Sequence, residues 1–195
     1  MAAQPVTGLT PEEYIEFERA SETKHEYYNG DLFAMAGTSY AHGLIVGRLT
    51  IELGIQLRSR DCGVVPNDLR VRVSPSGLYT YPDLVVVCGQ PQFADDQKDT
   101  LLNPTVLIEV LSPSTEAHDR GLKFAQYRKL ESLKEYVLVS QQEARVEVFS
   151  RRAAGQWLMT DFIGAETECR LESVECTFPL SAIYAGLTLD NPSIV

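Results

Sequence analysis

The chain has 195 residues, 44% of them apolar and 23% charged, with a net charge of −10. That length suits one domain over 1–195 with a core of its own, and the balance is that of a globular chain, not a disordered or fibrous one. The acidity argues against generic, charge-driven nucleic-acid binding, which depends on Lys and Arg neutralising phosphates, but leaves room for a local basic groove or for carboxylates that hold a divalent cation.

No apolar run approaches the roughly 20 residues of a membrane helix. The start, Met1-Ala2-Ala3-Gln4-Pro5, lacks the basic and apolar regions of a signal peptide. The cysteines Cys62, Cys88, Cys169 and Cys176 contain no Cys-x-x-Cys pair. They read as free thiols in a reducing cytoplasm, and a cytoplasmic, non-membrane protein is expected.

Residues before Thr10 read as a loose terminus. Thr10-Pro11-Glu12-Glu13 is a capping box with proline in the first turn, and predicts a short helix to about Ala20. Lys24 to Tyr28, then Asn29-Gly30, then Asp31 to Met35 predict a hairpin. Ser39 caps a helix to about Leu57 that places His42, Val46, Leu49, Leu53 and Leu57 on one side. Asp68 to Ser74 alternates, with Leu69, Val71 and Val73 on one face and Asp68, Arg70 and Arg72 on the other. The latter face reads as solvated, or as the lining of a nucleic-acid groove.

Leu84–Cys88 and Val106–Leu111 are apolar on both faces, as central strands are. Between them Gln90 to Asn103 reads as a polar, mobile loop. Asp119 to about Leu133 reads as a helix, Tyr136–Ser140, Arg145–Phe149 and Gln156–Ile163 as strands, and the stretch from Gly164 onward is less periodic. The order predicts an α/β (mixed α+β) fold in which one mixed sheet is flanked by helices and preceded by an extra N-terminal hairpin.

Two acids sit in very apolar surroundings. Asp83 follows Pro82, which cannot donate to a ladder, so the strand starts there and leaves Asp83 at its mouth. Glu109 lies inside its strand, on the face of Leu107 and Leu111. A buried carboxylate needs a partner, a proton or a cation. If the strands are neighbours, Asp83, Glu109 and the carbonyl of Val110 offer oxygens for Mg²⁺ or Mn²⁺. On the following helix Lys123, Tyr127 and Leu130 share an inward face, and a lysine there needs an acid or phosphate. Asp119 reads as a helix cap or first-turn acid, Glu26 as either an exposed hairpin residue or a further site carboxylate, His42 as a core histidine, and Ser112-Pro113-Ser114 as loop.

The ordered set of Glu26 with Asn29-Gly30, His42, Pro82-Asp83, Ile108-Glu109-Val110-Leu111-Ser112-Pro113-Ser114, Asp119, Lys123, Tyr127 and Glu135-Tyr136 resembles the PD-(D/E)xK nucleases. Over roughly residues 10 to 150 it resembles one largely uncharacterised restriction-endonuclease subfamily abundant in cyanobacteria. The resemblance implies a restriction-endonuclease-like core at about 22–150, a homodimer, Mg²⁺ or Mn²⁺ on Asp83 and Glu109, and hydrolysis of DNA phosphodiesters. Lys123 would orient water or stabilise negative charge, and Glu26 would assist. One departure stands out: the superfamily's lysine usually follows the acid by two residues, where this chain has Leu111. Lys123, on the next helix, takes its place in this reading. The alternative is an inactive nuclease-fold module for nucleic-acid binding or protein interaction.

Overall fold

The computed structural model describes residues 7–35, 37–74 and 77–189. Most of the stretch expected to be loose before Thr10 lies outside them. Thr10 accepts the Glu13 amide while Glu13 accepts the Thr10 amide, and this closed capping box starts α1 (Pro11–Ala20). Asn29 and Gly30 both take positive φ, 50° and 100°. They form the two-residue turn whose twist suits paired strands, joining β1 (His25–Tyr28) to β2 (Asp31–Ala34). The Ser39 hydroxyl accepts the His42 amide at 3.1 Å and caps α2 (Tyr40–Leu57). Gly43, Gly47 and Gly54 each cost that helix about 1 kcal/mol. Burial of Ile45, Val46, Leu49, Leu53 and Leu57, at roughly 1.5–3 kcal/mol per side chain, more than offsets them.

The strands that follow are β3 (Cys62–Pro66), β4 (Arg70–Arg72), β5 (Leu78–Thr80), β6 (Leu84–Cys88), β7 (Thr100–Leu101) and β8 (Val106–Val110). A helical crossover comes next. It consists of α3 (Glu116–His118), a π-helical turn at Asp119–Lys123, and α4 (Phe124–Tyr127). The remaining elements among the described residues are β9 (Glu135–Val139), β10 (Arg145–Arg151), β11 (Trp157–Ile163), β12 (Glu168–Leu171), β13 (Cys176–Pro179) and α5 (Leu180–Tyr184). Among the described residues no helix is long and apolar enough to cross a membrane.

The central sheet has the order β11-β10-β9-β8-β6-β3, and its β8–β9 pair is parallel, the other pairs antiparallel. A parallel pair requires a long crossover, and here that crossover carries the helical segment. One face of the sheet, with Leu84, Val86, Ile108 and Val137, packs against α2, β12, β13 and α5. The aperiodic stretch after Gly164 therefore contributes Cys169, Leu171, Phe178 and Ile183 to the core. The opposite face, with Val85, Leu107, Tyr136 and Leu138, meets the crossover and a second sheet of order β2-β1-β5-β4-β7. That second sheet is covered on its far side by α1, through Tyr14, Tyr27, Leu32 and Tyr79. The expected mixed sheet flanked by helices is present, and the N-terminal hairpin is the edge of this second sheet.

Several expectations need correction. Cys62 and Cys88 are opposed in the β3–β6 register and form a disulfide, while Cys169 and Cys176 are free and buried. Two thiols opposite each other on neighbouring strands cannot be recognised until the strand pairing is known. Strands β3 and β5 carry too little clean alternation to be read from sequence. Arg70 is not on a solvated face: it is 2% exposed and bonds Thr100 and Tyr81. The 90–103 segment is tied down by β7, by the Phe93–Leu101 bridge and by Arg19, which binds Asp95 and Asp99. The crossover helix begins at Glu116 and ends at Tyr127, earlier at both ends than its apolar spacing predicts.

Candidate functional site

The site lies between the two sheets. Strands β6 and β8 pair Leu84 with Ile108 and Val85 with Leu107. One step further, the same register sets Asp83 against Glu109 and Pro82 against Val110. On the other side of β8, Leu111 gives its amide to Val139, so Val110, one residue before, turns its amide and carbonyl toward β6. Its amide reaches Asp83 Oδ2 at 2.7 Å. Its carbonyl faces a proline, which has no N–H to return. The proline thus ends the ladder and leaves a carboxylate and a main-chain carbonyl side by side at the strand mouth.

Glu109 is 3% exposed. Its Oε1 accepts Tyr127 Oη–H at 2.8 Å and Lys123 Nζ–H at 3.2 Å. Lys123 reaches it from the π-helical turn, whose wider winding turns both Asp119 and Lys123 inward; such turns are rare and recur at functional sites. The ammonium also lies 2.9 Å from Glu26 Oε1 and 3.3 Å from Asp119 Oδ1. Glu26 comes from β1. The β1–β5 register pairs Tyr27 with Tyr79, so one step on Glu26 meets Thr80, whose hydroxyl donates to it. Tyr136 Oη–H donates to the Asp119 carbonyl at 3.1 Å.

One ammonium is therefore shared by three buried carboxylates. Burial pushes the Glu109 carboxyl well above the usual range; Lys123 pulls it down, and the charges of Asp119, Asp83 and Glu26 push it up again. Asp119 is raised for the same first reason. Burial works against the charged form of Lys123, but Glu109, Glu26 and Asp119 outweigh it and hold the ammonium well above its ordinary value. The three carboxylates thus favour the ammonium form of Lys123.

The structure brings Asp83, Glu109, Val110, Lys123, Glu26, Asp119 and Tyr127 to one locus. Leu111 is buried among apolar neighbours, and Lys123 approaches Glu109 from the crossover. His42 is not merely a core residue: its Nε2 lies 2.9 Å from Asp83 Oδ1. Gln141, which sequence reasoning missed, touches the other ring nitrogen. No local signal marks Gln141; it follows β9 and reaches the site only through the strand order. Of Asp68, Arg70 and Arg72, none takes part in these contacts; Arg70 serves a separate buried network.

A profile of the Uma2 family, described as "Putative restriction endonuclease", matches residues 11–181. The chain belongs to the Uma2 family. Two proteins of Synechocystis sp. PCC 6803 are similar over most of their length. Uncharacterized protein slr1290 is 36% identical over 185 residues, 94% of this chain and 95% of that one. Uncharacterized protein sll1609 is 32% identical over 160 residues, 82% of this chain and 90% of that one. A crystal structure described as a putative nuclease from Anabaena variabilis ATCC 29413 superposes with a TM-score of 0.76 at 16% identity, covering 91% of this chain and 98% of that one. The fold is accordingly the restriction-endonuclease-like α/β fold, and the Uma2 assignment supports a nuclease.

Proposed function

We propose that this Uma2 protein is a divalent-metal-dependent endonuclease that hydrolyses DNA phosphodiester bonds. The observation that carries the reading is the approach of Asp83 to Glu109 where the β6–β8 ladder ends, with the Val110 amide on Asp83 and the Lys123 ammonium against Glu109. Among the described residues no group of three or more His, Cys, Asp or Glu side chains is arranged to hold a metal alone. Two carboxylates and a carbonyl nevertheless fit Mg²⁺ or Mn²⁺. Mg²⁺ is held by one or two carboxylates and completes its shell with water and substrate phosphate. Among the described residues both hydrogen bonds of Glu109 end on Oε1, and Oε2 is the oxygen we assign to a cation.

In this reading Asp83, Glu109 and the Val110 carbonyl would hold the ion, whose chemistry when bound would be to polarise the phosphate and to lower the pKa of a water. Lys123, kept protonated by its carboxylates, donates to the attacking water or to the charge that develops on phosphorus-bound oxygens. Glu26 and Asp119 fix the direction of that ammonium. A homodimer, which the family resemblance implies, is the form we assign to the active protein. Engagement of Lys123 by three acids favours one other reading, a nuclease-fold module that binds without turnover.

The test is thermal stability against Mg²⁺ and Mn²⁺ together with plasmid cleavage. Wild type should gain stability with millimolar metal and nick or linearise DNA. Asp83→Asn and Glu109→Gln should lose both responses while remaining folded. Normal cleavage by Asp83→Asn would sink the assignment, and metal and DNA binding without any product would support the non-cutting module.

A further inference from the structure

Asp83 needs something to hold it. The χ2 torsion of an aspartate is broad, so its orientation is set by hydrogen bonds and not by the rotamer. Two donors do this here, one on each oxygen: the Val110 amide on Oδ2 at 2.7 Å and the His42 ring on Oδ1 at 2.9 Å. A carboxylate oxygen accepts at two lone pairs, so each oxygen keeps one free.

The direction of the His42 contact can be worked out from its surroundings. Gln141 Nε2 lies 2.8 Å from the Leu111 carbonyl, which only accepts, so that atom is the amide nitrogen. The Ser39 hydroxyl is 2.8 Å from Gln141 Oε1 and donates to it, which agrees. The same Gln141 nitrogen is 3.4 Å from His42 Nδ1. A donor there pairs with a bare Nδ1, which puts the ring hydrogen on Nε2, toward Asp83. Ser39 also caps α2 through the His42 amide, so the helix start, the ring and the glutamine form one closed unit.

We propose that His42, oriented by Gln141, is a positioning residue that presents the Asp83 carboxylate to the divalent cation without binding it. This rests on the metal-nuclease reading above. Donors to a metal-ligating group are typically worth 10–100-fold in metal affinity. The groups that hold Asp83 thus come from α2, the β8 main chain and the turn after β9, all outside the acidic pair itself.

The experiment is Mn²⁺ titration of the intact protein by electron paramagnetic resonance, with long-range ¹H–¹⁵N spectra of the His42 ring in metal-free protein. His42→Phe should weaken Mn²⁺ binding about 10–100-fold, with a metal-free melting temperature close to wild type. His42→Gln, which keeps an N–H donor, should recover most of the affinity. The metal-free spectrum should show the Nε2–H tautomer, and Gln141→Met should blur that preference. Equal Mn²⁺ affinity in wild type and His42→Phe would overturn the proposal and leave the nuclease reading standing. So would a hydrogen on Nδ1, or a ¹⁴N coupling to Mn²⁺ that vanishes in His42→Phe, since the ring would then be a ligand. A wild type that binds no Mn²⁺ would overturn both readings together.

Discussion

Two charged networks lie within this fold, and Asp99 in one titrates in the opposite direction from Glu109 and Asp119 in the other. Around Arg70 the donors suffice. Its guanidinium bonds Thr100 Oγ1 at 2.9 Å and Tyr81 Oη at 3.0 Å, and a further nitrogen lies 3.1 Å from Asp99, an ionic contact without hydrogen-bond alignment. Tyr81 passes its own hydrogen to Glu18, which also accepts the His25 amide. Arg19 clasps Asp99 from outside and, with Thr100 and Arg70, holds its carboxyl below the usual range against the push of burial. Around Lys123 one ammonium serves three acids, and Glu109 and Asp119 are held above that range. Glu109 is deeply buried and Asp99 only partly, so burial pushes Glu109 the harder. The supply of donors adds to that difference: two guanidinium groups lie against Asp99, while one ammonium is shared among Glu109, Glu26 and Asp119.

The comparison can be broken most forcefully at Lys123. Lys123→Met should destabilise the fold by about 3–5 kcal/mol, the usual result of stripping the partner from buried charge. Urea unfolding measures this, and a loss below about 1 kcal/mol would mean that the acids had already been protonated.

Glu109→Gln should move stability the other way. The folded carboxyl titrates above its unfolded value, so its favourable contribution is present at low pH. That contribution is lost as pH rises from the ordinary carboxylate range through the raised one. An amide cannot ionise, so at neutral and higher pH the metal-free variant should gain on the order of 1 kcal/mol, about 2–4 °C in Tm. Its stability should also fall less steeply with pH than that of wild type. Melting curves between pH 5 and 9 in a chelator decide the point; parallel curves for the two proteins would refute it.

The smallest effect belongs to the satisfied network. Asp99 titrates below its unfolded value, so its contribution is present above the ordinary carboxylate range and disappears as pH falls through and below it. Asp99 is partly exposed, and Asp99→Asn should therefore cost only about 0.5–1 kcal/mol at neutral pH. The difference from wild type should shrink on acidification.

What the sequence made legible was local. The capping box at Thr10, the Asn29-Gly30 turn, the Ser39 cap and the runs at Leu84–Cys88 and Val106–Val110 each carry their signal within a few residues, and each forms where expected. Asp83, Glu109 and Lys123 were legible because charge in apolar surroundings is conspicuous. The Cys62–Cys88 bond, the burial of Arg70 and the contacts of His42 and Gln141 depend on which strands are neighbours, and no short window contains that. The π-helical turn escaped for a different reason: Asp119 and Lys123 are four apart, which is also ordinary α-helical spacing.

The acidic centre also has a history within each molecule. Glu26 meets Thr80 across 54 positions of chain, His42 meets Asp83 across 41, and Gln126 meets Tyr28 across 98. Closures of this span are slow relative to helices and hairpins. During refolding, helical signal should therefore return well before the carboxylates converge on Lys123. Until the second sheet docks on the first, the chain has its secondary structure but not its centre, so any chemistry there is withheld until folding is complete.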